Sequence, residues 1–156
     1  MSENQATENV LRLVRATELL ELTFTELTAR RDLESPALSS EAEEVAPTFA
    51  LRMQATIDPE PRFRVFLRCE ISGSQECVAV EVVAEYGLPA EDADLLLDQE
   101  SLSSYINEVS VMMMVPYVRQ ALADMTQRVF AAPVLMPVMP RGALRFRIDE
   151  RESTHQ

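Results

Sequence analysis

Residues 62–86 read RFRVFLRCEISGSQECVAVEVVAEY, two alternating runs on either side of a Gly-Ser pair. In the first run Phe63, Val65, Leu67 and Cys69 share one side and Arg62, Arg64 and Arg68 the other, which is the period of a half-buried strand. In the second, Val78, Val80, Val82 and Ala84 alternate with Glu81 and Glu85. Gly73-Ser74 suits the two central positions of a tight hairpin turn, Gly taking the first. That turn predicts Leu67 opposite Val80, Val65 opposite Val82, Phe63 opposite Ala84 and Cys69 opposite Val78, giving one continuously apolar face. On the other face Arg62 pairs with Glu85, and Arg64 and Arg68 lie diagonal to Glu81. Cys69 and Cys77 then point to opposite sides, which disfavours a disulfide between them and fits reduced thiols.

Upstream, Phe49, Leu51, Met53, Ala55 and Ile57 alternate with Arg52, Gln54, Thr56 and Asp58, a further strand that Pro59 and Pro61 end. Between Val10 and Leu27 two periods compete: Val10, Leu13 and Val14 have helical spacing, whereas Leu20, Leu22 and Phe24 alternate. The second half is read as a strand and the first is left open. Ala29–Pro47, rich in Glu and containing two Pro, has the composition of a mobile loop. Downstream, Pro89–Glu100 reads as a solvated acidic connector, lacking the turn Gly of a calcium loop, with Ser101 as the cap of the helix that follows. Leu102 to about Phe130 is predicted to be one long helix kinked at Pro116. Its stretch Val109–Val118 is apolar nearly all round, more than one sheet can cover, which implies a second buried surface such as a subunit interface. Val134, Leu135, Met136, Val138 and Met139 alternate with Pro in an extended link expected to lie against the sheet or helix.

Composition removes several chemistries. The 156 residues suit one domain, with 1–9 and 150–156 read as disordered tails. The net charge is -12 and all 14 cationic side chains are Arg, so phosphate backbones are repelled and basic polypeptide segments are the better match. Without Lys, and with 3 Gly in all, there is no phosphate-cradling loop or Schiff-base lysine, and no cofactor or metal is expected. The polar start and the short apolar run of the helix point to a cytoplasmic protein with no direct membrane insertion. The one His, His155, stands beside the terminus, so the only acid–base candidates are Glu81 and Glu85 flanking Val83, where neighbouring Arg makes ion pairing the default. Eight Met, including Met112, Met113, Met114, Met136 and Met139, suit either core filling or a surface that adapts to many side chains.

The segment Val115-Pro116-Tyr117-Val118-Arg119-Gln120-Ala121-Leu122, followed by Met125, Arg128 and Ala132-Pro133-Val134-Leu135-Met136-Pro137-Val138, resembles the Phe-Pro-Tyr-Ala-Arg helix and apolar link of the SecB chaperone family. Leu22-Thr23-Phe24 is similar to an Ile-Ser-Phe strand motif, and the order of motifs runs from about Leu11 to Phe146. The resemblance implies an α+β fold, a four-stranded antiparallel sheet with the long Pro-kinked helix packed on it. It implies a homotetramer, a dimer of dimers whose helices meet centrally, for which Val109, Met112, Met113, Pro116 and Tyr117 are the candidate interface. It further implies ATP-independent, non-enzymatic binding of unfolded client proteins, in a groove to which Phe49, Leu51, Tyr117, Val134, Leu135, Met136, Val138 and Met139 are assigned. The onward partner is either the export motor SecA or, in toxin–antitoxin modules, an antitoxin. In the family an acidic sheet face receives the basic SecA tail, matched here by Glu21 and Glu81 with Glu85 beside them, while Thr25 replaces an acid and Ala79 a larger apolar residue. Where typical members continue into a helix, Arg141–Phe146 leads to a brief polar end.

Overall fold

The alternating runs of residues 62–86 become the two central strands of a sheet. The computed structural model describes residues 2–33, 47–73, 76–136, 140 and 142–146. Helix α1 (Glu3–Ala16) precedes strands β1 (Glu18–Arg31), β2 (Thr48–Thr56), β3 (Arg62–Ser72) and β4 (Glu76–Gly87). A 3-10 segment (Ala90–Leu97), helix α2 (Gln99–Tyr105), a π-turn (Ile106–Ser110) and helix α3 (Val111–Phe130) follow. The fold is α+β, with one antiparallel sheet of strand order β1-β4-β3-β2 and α3 packed on β4 and β1.

Phe63, Val65, Leu67, Cys69 and Ile71 of β3, with Val78, Val80, Val82, Ala84 and Tyr86 of β4, point to the helix side and are buried. The faces agree with the sequence reading, but the register differs by two residues. Leu67 pairs with Val82, Val65 with Ala84, Cys69 with Val80 and Phe63 with Tyr86. The Gly73 N–H donates to the Glu76 carbonyl at 2.7 Å, so Gly73 belongs to the paired end of the strands and not to the turn read for Gly73-Ser74. Ser74 itself lies outside the described residues. A slip of two leaves every side chain on its own face, so hydrophobic patterning tolerates either register. Cys69 and Cys77 remain on opposite faces.

Residues 3–9, read from sequence as part of a disordered tail, are the first half of α1. Its polar composition gives little intrinsic stability, and tertiary contacts supply the rest. Leu13 is fully buried, Arg12 pairs with Asp92 at 2.8 Å and Asp94 at 3.5 Å, and the Asn9 amide donates to Asp98 at 2.8 Å. The connector expected to be a solvated loop is therefore a docking surface for α1: it is helical, and Leu95 and Leu96 are buried. Thr17 ends α1 in extended backbone and leads directly into β1, its hydroxyl 2.9 Å from that of Tyr105. β1 extends to Arg31, three residues into the segment read as a loop; residues 34–46 of that segment lie outside the described ones.

The helical stretch begins at Gln99 rather than Leu102, and Asp98, not Ser101, caps it, accepting from the Ser101 N–H at 3.3 Å and hydroxyl at 2.6 Å. Ser101 is buried in the first turn. Pro116 lies inside α3, while the departure from α geometry comes earlier, where the Val111 N–H reaches back to the Ile106 carbonyl. Met114, Val118 and Leu122 face the sheet side fully buried, and Tyr86 hydrogen-bonds the buried Ser110 hydroxyl at 2.9 Å. α3 stops at Ala131, a left-handed residue with φ 58, ahead of Pro133.

Left-handed backbone costs a non-glycine residue about 1 kcal/mol. Ala131→Gly is therefore expected to raise the unfolding free energy by about 1 kcal/mol, seen as a higher urea midpoint at unchanged slope. Hydrogen bonds, first from the Ser101 hydroxyl and then from Asn9, hold the Asp98 carboxyl below its ordinary range. A depressed folded-state pKa stabilises above the unfolded value and is lost as pH falls through the folded one. The stability advantage of the native chain over Asp98→Asn should accordingly be full above about pH 4 and shrink on further acidification, measured by urea titration at each pH.

Candidate functional site

The outer face of the sheet carries an Arg–Glu lattice. Glu21 on β1 stands directly across from Glu85 on β4, a like-charged pair that Arg64 at 3.4 Å and Arg62 at 3.8 Å compensate from β3. Glu81 accepts from the Thr25 hydroxyl at 2.7 Å and lies 3.6 Å from Arg52. Arg52 in turn covers the Phe66 ring, its guanidinium carbon 3.9 Å from the centroid, so an aromatic on the solvent side of β3 is only 8% exposed. Arg68 pairs with Glu26 and Glu70. Between these groups lies a shallow depression of about 120 Å³ lined by Glu21, Thr25, Arg64, Phe66, Val83 and Glu85.

Three consequences follow for the residues assigned from sequence. Glu21, Glu81 and Glu85 do share one face, but Arg52, Arg62 and Arg64 neutralise two of them, while Glu21 has no ion pair among the described residues. Glu81 and Glu85, four residues apart on β4, are separated by about 13 Å of strand and cannot share a proton. The acid–base pairing weighed for them has no geometric basis. Arg68 stands directly opposite Glu81, rather than diagonal to it, because of the register.

The apolar candidates are spread over several surfaces. Phe49, Leu51 and Met53 are half-buried on the helix side of β2 and pack against the core. Val109 and Met113 also pack against the core, Met112 is half-buried, and Pro116 and Tyr117 are exposed, Tyr117 by 45%. Val134 and Leu135 are exposed by 37% and 74%, whereas Met136 is buried; Val138 and Met139 lie outside the described residues. The Val134 N–H donates to the buried Thr126 hydroxyl at 2.7 Å, fixing the start of the link on the Thr126 side of α3. Tyr117 is nine residues from Thr126, two and a half turns, and so faces the opposite way. The structure thus places Tyr117 and the link on different sides of one helix.

Sequence reasoning missed an apolar edge. β1 ends the sheet, interrupted by irregularities at Leu19/Glu21 and Phe24/Glu26, and Leu19, Leu20, Phe24 and Leu27 along it are exposed, as are Leu11 and Val14 on α1. The cue was present in the alternation, but only strand order reveals that this run borders solvent.

No protein-family model and no curated protein matches the chain. Among solved structures it is similar to the Mycobacterium tuberculosis SecB-like chaperone in complex with a ChAD peptide from the HigA1 antitoxin. The two share 19% identity over 86% of this chain and 98% of that one, with a TM-score of 0.56. The fold is SecB-like. A second structure, a protein of unknown function from Streptococcus agalactiae, aligns at 11% identity over 78% of this chain and 97% of that chain, with a TM-score of 0.47. In the SecB-like frame the helix side of the sheet holds the core and the Arg–Glu face looks outward. Among the described residues no helix is long and apolar enough to cross a membrane, and no cluster of three or more His, Cys, Asp or Glu side chains has the arrangement of a metal site.

The two thiols differ in burial because they point to opposite faces of the sheet. Burial pushes the Cys69 thiol up to about 11, whereas Cys77 on the outer face is half-buried. A maleimide at neutral pH is expected to modify Cys77 alone in the native chain, with Cys69 reacting only after denaturation, counted by mass spectrometry.

Proposed function

We propose that this chain is the subunit of an ATP-independent, non-enzymatic cytoplasmic chaperone that holds a non-native polypeptide in extended form, and that its client is a dedicated one of the antitoxin kind rather than exported proteins at large. The observation that carries the reading is the amount of apolar side chain left uncovered in a SecB-like fold, on the link at Val134 and Leu135, on the outer side of α3 at Tyr117, and along β1. Exposed aliphatic groups at this density mark surfaces that another chain covers. Two kinds of partner divide them. The open edge of β1 and the outer stripe Met112, Pro116 and Tyr117 suit contact between copies, in a dimer of dimers. The link and the half-buried Phe49 and Leu51 suit a client, and Val138 and Met139 belong to the same proposed groove.

The Arg–Glu lattice favours the dedicated client over export. A basic tail of SecA needs uncompensated acids, and Arg52, Arg62 and Arg64 already engage Glu81 and Glu85. The similar structure in complex with an antitoxin peptide is consistent with the same preference.

Light scattering should give a mass near four chains, rising when a permanently unfolded protein is added. Replacing Val134 and Leu135 together by Arg is expected to weaken client binding about tenfold while leaving the mass of the free assembly unchanged. Tyr117→Arg should instead reduce the mass. A monomer indifferent to unfolded protein would overturn the chaperone reading, and equal affinity for unrelated clients would overturn the dedicated one.

A further inference from the structure

The chain holds its own C-terminal segment in the way a receptor holds a peptide. The Ala143 N–H bonds to the Pro140 carbonyl at 3.0 Å, and Gly142 at φ 82 occupies the position of that turn which requires positive φ. The turn sends the segment to the α2–π-turn region, where Leu144 and Phe146 pack against the core and Arg145 between them is exposed. There the Phe146 N–H donates to Asn107 Oδ1 at 2.7 Å, and Asn107 Nδ2 donates to the Phe146 carbonyl at 3.1 Å. The second Nδ2 hydrogen goes to the Ser103 carbonyl at 3.0 Å. One side-chain amide thus supplies both bonds that a neighbouring strand would offer, and such bonds are made to backbone, so they do not depend on the side chain held. Asn107 sits in the π-turn, the one place where the helix departs from α geometry. Beside it a depression of about 360 Å³ is lined by Ser103, Ser104, Asn107, Glu108, Arg145 and Phe146.

The seated residues Leu144, Arg145 and Phe146 alternate apolar, cationic and apolar, in a chain of net charge -12.

We propose that Asn107, with Ser103, Ser104 and Glu108, forms a client subsite for an extended polypeptide segment of alternating apolar and basic residues, and that Leu144–Phe146 occupies it in cis until a client displaces them. The proposal rests on the chaperone reading and names both the client chemistry and an autoinhibitory contact. A tethered segment competes at an effective concentration near the millimolar range, so its release should tighten binding in trans by about tenfold.

The probe is a fluorescent pentapeptide of residues 143–147, Ala-Leu-Arg-Phe-Arg, titrated into the full chain by anisotropy. Phe146→Pro removes the N–H and the ring while leaving Asn107 intact, and should bind the probe about tenfold more tightly than the native chain. Adding Asn107→Ala to that variant should reverse the gain. No tightening in Phe146→Pro, or a gain indifferent to Asn107, overturns the subsite. Hydrogen exchange on the native chain supplies a readout independent of variant folding: the Phe146 amide should exchange faster once the probe is bound, and an unchanged rate in a saturated chain overturns displacement. A native chain that binds no unfolded protein would sink the chaperone reading by itself, and the pentapeptide titrations would still decide the clamp.

Discussion

The inward face of β3 and β4 has to be covered, and α3 is the only long helix the described chain brings to it. Phe63, Val65, Leu67 and Cys69 on one strand and Val78, Val80, Val82 and Ala84 on the next are each at most 1% exposed, and burying one of the Phe, Val or Leu side chains among them contributes about 1.5–3 kcal/mol. Because α3 lies over β4 and β1, cover thins toward β2, which is only half-buried on its helix side, while the other edge strand, β1, keeps Leu19, Leu20, Phe24 and Leu27 exposed despite the helix over it.

The opposite face of the same sheet is managed by charge. Arg side chains on β2 and β3 reach Glu on β4, and Arg52 lies over Phe66, so the solvent side gains ion pairs and a covered aromatic without an added layer of structure. Exposed ion pairs of this sort contribute little stability each. Their larger effect is on the potential of that face, which is nearly compensated in a chain of net charge -12 although Glu21 on it has no ion pair among the described residues.

At the far end of the fold, polar residues do the positioning. Asp98 caps α2 and receives Asn9 of α1, Arg12 ties α1 to Asp92, and Asn107 receives the returning tail, so one short region gathers three segments distant in sequence. The π-turn lies within this region, next to the buried Tyr86–Ser110 contact and the cluster of Phe63, Tyr86 and Tyr105 rings. A widened turn beside a satisfied aromatic core gives Asn107 a fixed base from which to hold a backbone.

Alternation in residues 49–53 and 62–86 determined, without any structure, which side chains face the core, because a strand's period of two admits only two faces. Ala55 and Ile57, read on the same face, are instead exposed, and Ile57 lies beyond the end of β2. The apolar excess of residues 109–118 was equally legible, and the sheet takes up part of it: Val111, Met114, Val115 and Val118 are buried, Met112 and Met113 half-buried, and Pro116 and Tyr117 exposed. Only the tertiary structure decided the register, since a slip of two preserves every face and the spacing of Arg62, Arg64 and Arg68 offers Glu partners in either alignment. It alone decided that the polar start is helical and that the acidic connector is structured, because Arg12 and Asp92 are far apart in the chain and nothing local marks them as partners. The same holds for the Asn107 clamp: an Asn within a helical run reads as a solvated residue until the chain turns at Gly142 and brings the Phe146 backbone, 39 residues away, within hydrogen-bonding distance. Periodicity is local and was therefore legible; hydrogen bonds between distant segments depend on the path of the chain, which no local pattern encodes.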